Sequence, residues 1–398
     1  MKDPVVIVSV ARTPVGGMMG ELSGLAATDL GATAIRAAVE RAGLKPEQVQ
    51  EVLMGCVLPA GLGQAPARQA TLKAGLPIST GATTVNKVCG SGMKAAMLGN
   101  DLIFAGSQDI VVAGGMESMS NAPYLILKGR GGYRYGHGTL FDHMAYDGLE
   151  DAYDKLPTGG GKSMGIFAED CAGKFEFSRE AQDRYAIESS RRARVANEDG
   201  SFKWEIAPVT VAGRKGETVI ERDEAPFKAN PEKIPTLKAA FRKEGTVTAA
   251  TSSSISDGAA ALVLMRRSMA EKLGIKPLAT ILAHATHSQE PQWFTTAPVG
   301  AIHKLYAKTG WNTGNVDLFE INEAFAVVAM AAMKEHGIAH DRINIHGGAV
   351  ALGHPIGASG ARLIVTLLGA LRKTGGKRGI ASLCIGGGEA TALAVEIA

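Results

Sequence analysis

The chain has 398 residues, of which 45% are apolar and 20% charged, so it is long enough for more than one structural unit and too balanced for extended disorder. Its net charge of +3, with no run of Lys or Arg longer than a pair, argues against a nucleic-acid partner. Four widely spaced cysteines without a C-x-x-C pair argue against disulfides and a zinc site.

The N-terminal residues run directly into a strand-like VVIV at positions 5–8. They lack the apolar region of a signal peptide and the basic amphipathic pattern of a transit peptide. No run of apolar residues approaches the length of a membrane span. A cytoplasmic enzyme without a membrane partner is therefore expected.

Short β-rich runs alternate with helical patterns along the chain. Strands are predicted near residues 4–9, 50–57, 108–114, 316–321 and 378–384, and helices near 28–42, 90–105, 298–309 and 356–373. This alternation predicts an α/β fold with a substantial parallel sheet. Residues 118–247 differ, because a Gly-, Tyr- and Arg-rich stretch precedes two charged helices and three prolines, which predicts an inserted cap whose loop can wrap a ligand.

Two internal matches indicate a duplication. Residues 34–55 align with residues 301–322 without a gap, which places Ala34 beside Ala301 and Gly43 beside Gly310. The segment VVAGGME at 111–117 resembles LCIGGGE at 383–389, at a slightly longer spacing. Together these matches predict two related α/β halves.

Cys89 lies in NKVCGSGMK at 86–94, between a predicted strand and a predicted helix. At a helix N-terminus, partial positive charge and free N–H groups lower a thiol pKa and can hold an oxyanion. Gly90 and Gly92 are expected to leave space for a substrate. The alternative is a small buried cysteine that packs as an apolar residue, and this segment alone does not decide between the two.

Three further residues occur at strand ends or helix starts. His354 precedes Pro355 in a glycine-rich block at the start of a predicted helix, where it is a candidate base. Cys384 ends a strand and faces a glycine turn of the kind that binds anions. Asn322 follows the strand at 316–321 and is interpreted as a helix N-cap. His346 is interpreted as a hydrogen-bonded packing residue.

Four ordered motifs resemble the signature blocks of the thiolases. They are NKVCGSGMKA at 86–95, NEAFA at 322–326, GGAVALGHPIGASGAR at 347–362 and CIGGGEA at 384–390. The resemblance covers essentially the whole chain. The segments NAPY at 121–124 and EPQWFTTAPV at 290–299 are most similar to the acetoacetyl-CoA (acetyl-CoA acetyltransferase) branch.

This resemblance implies the thiolase fold, in which two similar five-stranded βαβαβαββ halves form five layers, αβαβα, with an inserted loop domain. The N-terminal half would comprise residues 1–117 and 248–270, and the C-terminal half residues 271–398. Residues 118–247 would be the inserted CoA-binding loop domain. The family further implies a homotetramer or a homodimer.

The implied reaction is a reversible Claisen condensation of acetyl-CoA with an acyl-CoA, or thiolytic cleavage of a 3-ketoacyl-CoA in reverse. By motif position, Cys89 would be the acylated nucleophile, His354 its activating base and Cys384 the second acid/base. Backbone N–H groups of Cys89 and Gly386 would form one oxyanion hole. Asn322, through a water, and His354 would form the other.

CoA would bind as substrate and product, and neither a prosthetic group nor a metal site is expected from the motifs. The positions that match the family's CoA contacts are Tyr185, Lys228, Lys233, Ser253, Met164 and Phe241. The lysines would meet the nucleotide phosphates and Ser253 and Phe241 the pantetheine, whereas solvated lysines and core packing are the alternative. Ser163 and the stretch 252–254 depart from the family pattern, which leaves acyl-chain preference and potassium binding open.

Two other functions are considered. A decarboxylating ketoacyl synthase shares the fold but resembles a Cys-His-His site, so Cys384 argues against it. A non-catalytic acyl-CoA-binding thiolase relative is disfavoured because Cys89, Asn322, His354 and Cys384 are present together. The sequence does not determine chain-length range, pathway or physiological direction, whether fatty acid breakdown or biosynthesis.

Overall fold

The structure, a computed structural model, describes residues 3–156, 160–213 and 216–398. The two internal gaps fall in the segment predicted as an insertion. The strands are β1 (Val5–Arg12), β2 (Gly16–Gly17), β3 (Glu51–Gly55), β4 (Gly81–Val85), β5 (Ile110–Ser118), β6 (Tyr124–Leu125), β7 (Phe141–Asp142), β8 (Glu150–Lys155), β9 (Gly161–Ser163), β10 (Val209–Gly213), β11 (Gly216–Ile220), β12 (Ser256–Arg266), β13 (Ala279–Ser288), β14 (Leu318–Ile321), β15 (Arg378–Ile385) and β16 (Glu389–Ile397). The α-helices are α1 (Ala27–Arg41), α2 (Pro66–Lys73), α3 (Ser91–Ala105), α4 (Met164–Phe175), α5 (Arg179–Glu198), α6 (Ala225–Lys228), α7 (Arg267–Lys272), α8 (Ala297–Thr309), α9 (Ala326–His336), α10 (Ala349–Leu352) and α11 (Ile356–Thr374).

One mixed sheet runs in the order β14-β15-β16-β13-β1-β12-β5-β3-β4, with β2 added to β12. Strands β3, β4 and β5 pair in parallel, as do β14 and β15, while β1, β12, β13 and β16 pair antiparallel with their neighbours. A short pairing of β1 with β13 joins the two halves. In the C-terminal half, the place of β4 is taken by a single parallel bridge between Phe319 and Ile343, so a fifth regular strand is not formed there.

The helices form layers around these strands. Apolar residues of α1 and α2 pack on the outer face of the N-terminal half, and those of α8 and α9 on the outer face of the C-terminal half. Helices α3 and α11 lie between the two halves, where Met93, Met97, Leu363 and Leu367 contact strands of both. This arrangement confirms the predicted α/β fold with αβαβα layers.

The duplication is visible in the strand pairing. Helix α1 and strand β3 correspond to α8 and β14 at the spacing that the first sequence match gave. In the structure Val111 pairs with Glu51, and Gly379 pairs with Leu318, which is the residue equivalent to Glu51. Val111 therefore corresponds to Gly379 and not to Leu383, so the second sequence match is four residues out of register. The glycines of the two segments differ in place: Gly114 lies inside β5, but Gly386 follows the end of β15.

The inserted segment is tied to the N-terminal half by a buried guanidinium. Arg12 in β1 bonds Glu205 at 2.5 Å and Asp223 at 2.6 Å, and all three side chains are buried. Because a guanidinium presents several donors in one plane, it can pair with both carboxylates at once. Among the described helices, none has the length and apolar character needed to cross a lipid bilayer.

Candidate active site

Loops from both halves meet at a cavity of about 230 Å³. Of the residues predicted from the sequence, six line it: Cys89, His354, Gly386, Met164, Phe241 and Ser253. Asn322 and Cys384 are buried behind its wall. The remaining wall is mainly apolar and includes Met119, Leu149, Phe294, Phe325 and Ile356, none of which was predicted as a cavity residue.

The turn that carries Cys89 is held in an uncommon backbone conformation. Val88 has φ of 46°, in the left-handed region that a β-branched residue rarely adopts. The side chain of Asn86 accepts a bond from the Val88 N–H at 2.9 Å. The Ser91 hydroxyl accepts from the Lys87 N–H at 2.8 Å and donates to the Val88 carbonyl at 2.6 Å. Such strain persists because these contacts fix the turn, and it is typical of functional sites.

The thiol of Cys89 has a raised pKa, so the expected lowering by a helix end is wrong. Burial raises this pKa to about 11, which outweighs the opposing bonds from the N–H groups of Gly386 and of Cys89 itself. Helix α3 begins only at Ser91, two residues beyond the thiol. The same two N–H groups were predicted as an oxyanion hole, and both are close enough to bond the sulfur.

The raised pKa of Cys89 predicts how fast this thiol is alkylated at each pH. Inactivation of the free enzyme by iodoacetamide should accelerate about tenfold per pH unit up to and beyond pH 9, because the thiolate is the reactive form and its fraction grows until pH reaches the pKa. The site of alkylation is read by peptide mass mapping. Protein carrying Cys384→Ala serves as the control against labelling of the second thiol. A rate that levels off below pH 9 would contradict the raised pKa.

Gly90 and Gly92 pack against protein, so the expectation that they make room for substrate is wrong. A Cβ at Gly90 would lie 2.4 Å from Cδ1 of Ile385, and one at Gly92 would lie 2.9 Å from the backbone nitrogen of Ala361. A Cβ at Gly360 would in turn lie 2.4 Å from the nitrogen of Met93. The missing side chains at Gly92 and Gly360 therefore let α3 and α11 approach closely, which brings the turns before both helices to one cavity.

Gly360→Ala should destabilise the fold by about 1–3 kcal/mol, because the added methyl meets backbone that cannot rotate away. Gly173→Ala in α4 is the matched control, since a Cβ there meets nothing within 4 Å. That control should be neutral or slightly stabilising, as alanine is the better helix former. Urea unfolding of both variants measures the difference, and equal stabilities would refute the close-packing argument.

His354 lies just before α11 and is buried. Its Nδ1 is 2.6 Å from the Ser359 hydroxyl oxygen, and that hydroxyl donates to the Pro355 carbonyl at 2.9 Å. Nδ1 must therefore carry the proton, which leaves a lone pair on Nε2. Burial, and secondly the charge of Arg362, lower the pKa of His354 to about 3. The imidazole is thus neutral and able to accept a proton at Nε2.

Asn322 follows β14 and is fully buried. Helix α9 begins at Ala326 after Phe325, so the interpretation of Asn322 as its N-cap is wrong. The backbone pairing continues past β14, with the Asn322 N–H donating to the Ser382 carbonyl at 3.0 Å. The Asn322 side-chain nitrogen lies 3.3 Å from Nε2 of His354, which places the amide in the site.

Cys384 lies near the end of β15 among apolar residues that include Ala324, Phe325 and Val328. Burial raises the pKa of its thiol well above the usual range, and the neighbouring Cys89 adds to the effect. The resting state therefore holds a neutral thiol at both cysteines. Beyond Cys384, Gly387 and Gly388 have φ of 91° and 85°, which permits the tight turn after β15.

The predicted CoA contacts divide into two groups. Met164, Phe241 and Ser253 line the cavity, as does Ser163. Tyr185 does not: it is buried on α5 and donates to Glu323 at 2.9 Å, so its contact with CoA stays a prediction that the cavity lining does not support. Packing of α5 against the C-terminal half explains its position.

The other two predicted CoA contacts, Lys228 and Lys233, are exposed on the inserted segment and do not line the cavity. Lys228 pairs with Glu224. The predicted contact of the two lysines with nucleotide phosphates stays a prediction. In the part of the chain that the structure describes, no group of three or more His, Cys, Asp or Glu side chains is arranged to hold a metal ion. Potassium binding stays open.

Comparisons with known proteins agree with this geometry. Residues 5–268 match the family model described as thiolase, N-terminal domain, and residues 275–397 match thiolase, C-terminal domain. Acetyl-CoA acetyltransferase 2 of Arabidopsis thaliana is 52% identical over 396 residues, covering 99% of this chain and 97% of that protein. The cytosolic acetyl-CoA acetyltransferase ERG10 of Gibberella zeae is 48% identical over 395 residues, covering 99% and 98%.

A solved structure is also similar. The Acat5 thiolase from Ascaris suum, in complex with coenzyme A, superposes with a TM-score of 0.92 at 41% identity. The alignment covers 99% of this chain and 100% of that one.

Proposed function

Since the chain belongs to the thiolase family, we propose that Cys89 carries the acyl group in a reversible Claisen condensation. The chain is an acyltransferase of the acetyl-CoA acetyltransferase type, which joins acetyl-CoA to an acyl-CoA and cleaves the 3-ketoacyl-CoA product in reverse. The observation that carries the site assignment is the cavity shared by Cys89, His354 and Gly386, with Asn322 bonded to His354.

In the first half-reaction, Nε2 of His354 takes the proton from the Cys89 thiol, and the thiolate attacks the acyl-CoA carbonyl. The N–H groups of Cys89 and Gly386 hold the tetrahedral oxyanion, and their contact with the Cys89 sulfur supports this role. The C–S bond to CoA then breaks, and the thiol of Cys384 protonates the departing sulfur. An acyl-Cys89, an imidazolium and a Cys384 thiolate remain.

In the second half-reaction, the Cys384 thiolate removes an α-proton from acetyl-CoA. The enolate oxygen is held by the His354 imidazolium and by Asn322 through a water, and its carbon attacks the acyl-Cys89 carbonyl. The Cys89 thiolate leaves and recovers its proton from His354. The high pKa of Cys384 favours this step, because a strongly basic thiolate is needed to deprotonate a weak carbon acid.

CoA would reach this site along the cavity wall formed by Met164, Phe241 and Ser253, with residues 118–247 as its binding domain. Lys228 and Lys233 would meet the nucleotide phosphates at the exposed surface. No prosthetic group is needed for the chemistry above, because every proton transfer uses a side chain of the chain itself.

We further propose a cytoplasmic homotetramer or homodimer. Support comes from large apolar side chains that are exposed in the inserted segment, namely Tyr124, Tyr135 and Leu140, of which Tyr135 is fully exposed. Large exposed apolar side chains are a feature of surfaces that associate. Strand β4 also ends the sheet with an unpaired edge among the described residues, as an interface strand would.

Thiolysis rates over a series of 3-ketoacyl-CoAs, from acetoacetyl-CoA to palmitoyl-length chains, test the function. Cleavage of acetoacetyl-CoA with ping-pong kinetics is the expected result, and the decline along the series defines the acyl preference that Ser163 leaves open. Binding of CoA without turnover would support the non-catalytic relative instead. Condensation only with a decarboxylating donor would support a ketoacyl synthase.

A further inference from the structure

A buried pair of charged residues lies behind Asn322, and neither member gives or takes a proton in the transfers above. Arg362 in α11 donates to the Glu320 carboxylate of β14 at 2.7 Å, and both side chains are almost fully buried. The second terminal nitrogen of Arg362 lies 3.5 Å from Oδ1 of Asn322. The guanidinium therefore bridges a fixed carboxylate and the amide that contacts His354.

An amide side chain can face a site with either its oxygen or its nitrogen, and neighbouring groups decide which. Here Ser359 fixes the His354 tautomer with a lone pair on Nε2, which calls for a donor from Asn322. Reversal of the amide would set its N–H groups against the Arg362 guanidinium and its oxygen against that lone pair. Both ends of the amide therefore select the same orientation.

We propose that Arg362, anchored by Glu320, is a positioning residue that holds the Asn322 amide with its N–H end towards the oxyanion hole of the enolate. This inference rests on the proposed function, because it assumes that Asn322 serves the enolate oxyanion hole. A free amide would spend part of its time with the oxygen facing the developing negative charge, and a misplaced oxyanion donor slows the step that it serves.

The geometry requires a planar guanidinium rather than a positive charge alone. One terminal nitrogen meets Glu320 while the other reaches Asn322, so two donors in one plane link the two side chains. A lysine ammonium at this position would act as a single point charge and would pair with the Glu320 carboxylate alone. It would keep the buried carboxylate paired and leave the amide oxygen without its donor.

Arg362→Lys should therefore lower kcat for condensation by about 10- to 100-fold while KM and the burst of Cys89 acetylation stay within about twofold of the parent enzyme. The same change made in an Asn322→Ala background should add no further loss, because Arg362 acts through that amide. Arg372→Lys is the matched control on the same helix; its guanidinium lies over Trp204, away from the cavity, and activity should not change.

Equal losses in both backgrounds, a lost acetylation burst, or unchanged condensation would each overturn the inference. If the parent enzyme shows no thiolysis, the proposed function fails instead. If Asn322→Ala slows condensation but Arg362→Lys does not, only this inference fails.

A second variant is available if Arg362→Lys does not fold. Glu320→Gln then takes its place in the same double-mutant cycle, since it removes the charged anchor of Arg362. A loss of about three- to tenfold that vanishes in the Asn322→Ala background is then expected, and a loss that persists there contradicts the proposal.

Discussion

Replacement of Cys89 by alanine should abolish thiolysis of acetoacetyl-CoA and leave CoA binding close to that of the parent chain. The thiol is the only acyl acceptor in the proposed cycle, so kcat should fall by about 10⁴-fold or more, as for other nucleophile deletions. Binding should persist, because the CoA contacts proposed for Met164, Phe241 and Ser253 do not involve the sulfur. Steady-state thiolysis and calorimetric titration with CoA measure the two quantities.

Cys171→Ala is the control for loss of a buried thiol. Cys171 packs on α4 among apolar residues and does not line the cavity, so this variant should keep its activity at a small cost in stability. Thiolysis that survives in Cys89→Ala at a rate near that of the control would remove the central assignment.

Cys384→Ala should separate the two half-reactions. Cys89 should still take up an acetyl group from acetyl-CoA, more slowly because the departing sulfur loses its proton donor. Condensation should fall by about 10³-fold or more, since no other described group is assigned to remove the α-proton. Rapid quench of CoA release and of acetoacetyl-CoA formation gives both rates. Full turnover in this variant would refute the role of Cys384.

Much of the architecture could be predicted from sequence periodicity. Helices α1, α3, α8 and α11 form within a few residues of their predicted bounds, because their apolar residues recur at helical spacing. Strands β12, β13 and β16 were not predicted. All three sequences are rich in alanine, which favours strands less than β-branched residues do. Strands β12 and β16 are also buried on both faces, so their sequences show no alternation.

The site was predictable where single residues carry the chemistry. Cys89 and His354 occur before helices that begin at Ser91 and Ile356, and both line the cavity. The predictions that failed concern features that are set by packing between distant segments. Gly92 serves the close approach of α3 and α11, and burial sets the pKa of Cys89. The same kind of packing holds Tyr185 in the core beside Glu323, away from the cavity lining.

Ser359 and Arg362 were also not predicted as site residues, although both stand in the block that contains His354. They lie three residues apart on α11, which places them on one face of the helix. That spacing was a signal in the sequence. The partners that give it meaning, His354 and Asn322, become neighbours only when β14 and α11 pack together.

The most direct test of the account is to incubate the purified chain with acetyl-CoA, digest it, and locate the acetyl group by peptide mass mapping. We expect one acetyl group on the peptide that contains Cys89, and its loss when free CoA is added. An acetyl group on another residue, or a Cys89 peptide that stays unmodified while acetoacetyl-CoA is formed, would contradict the account.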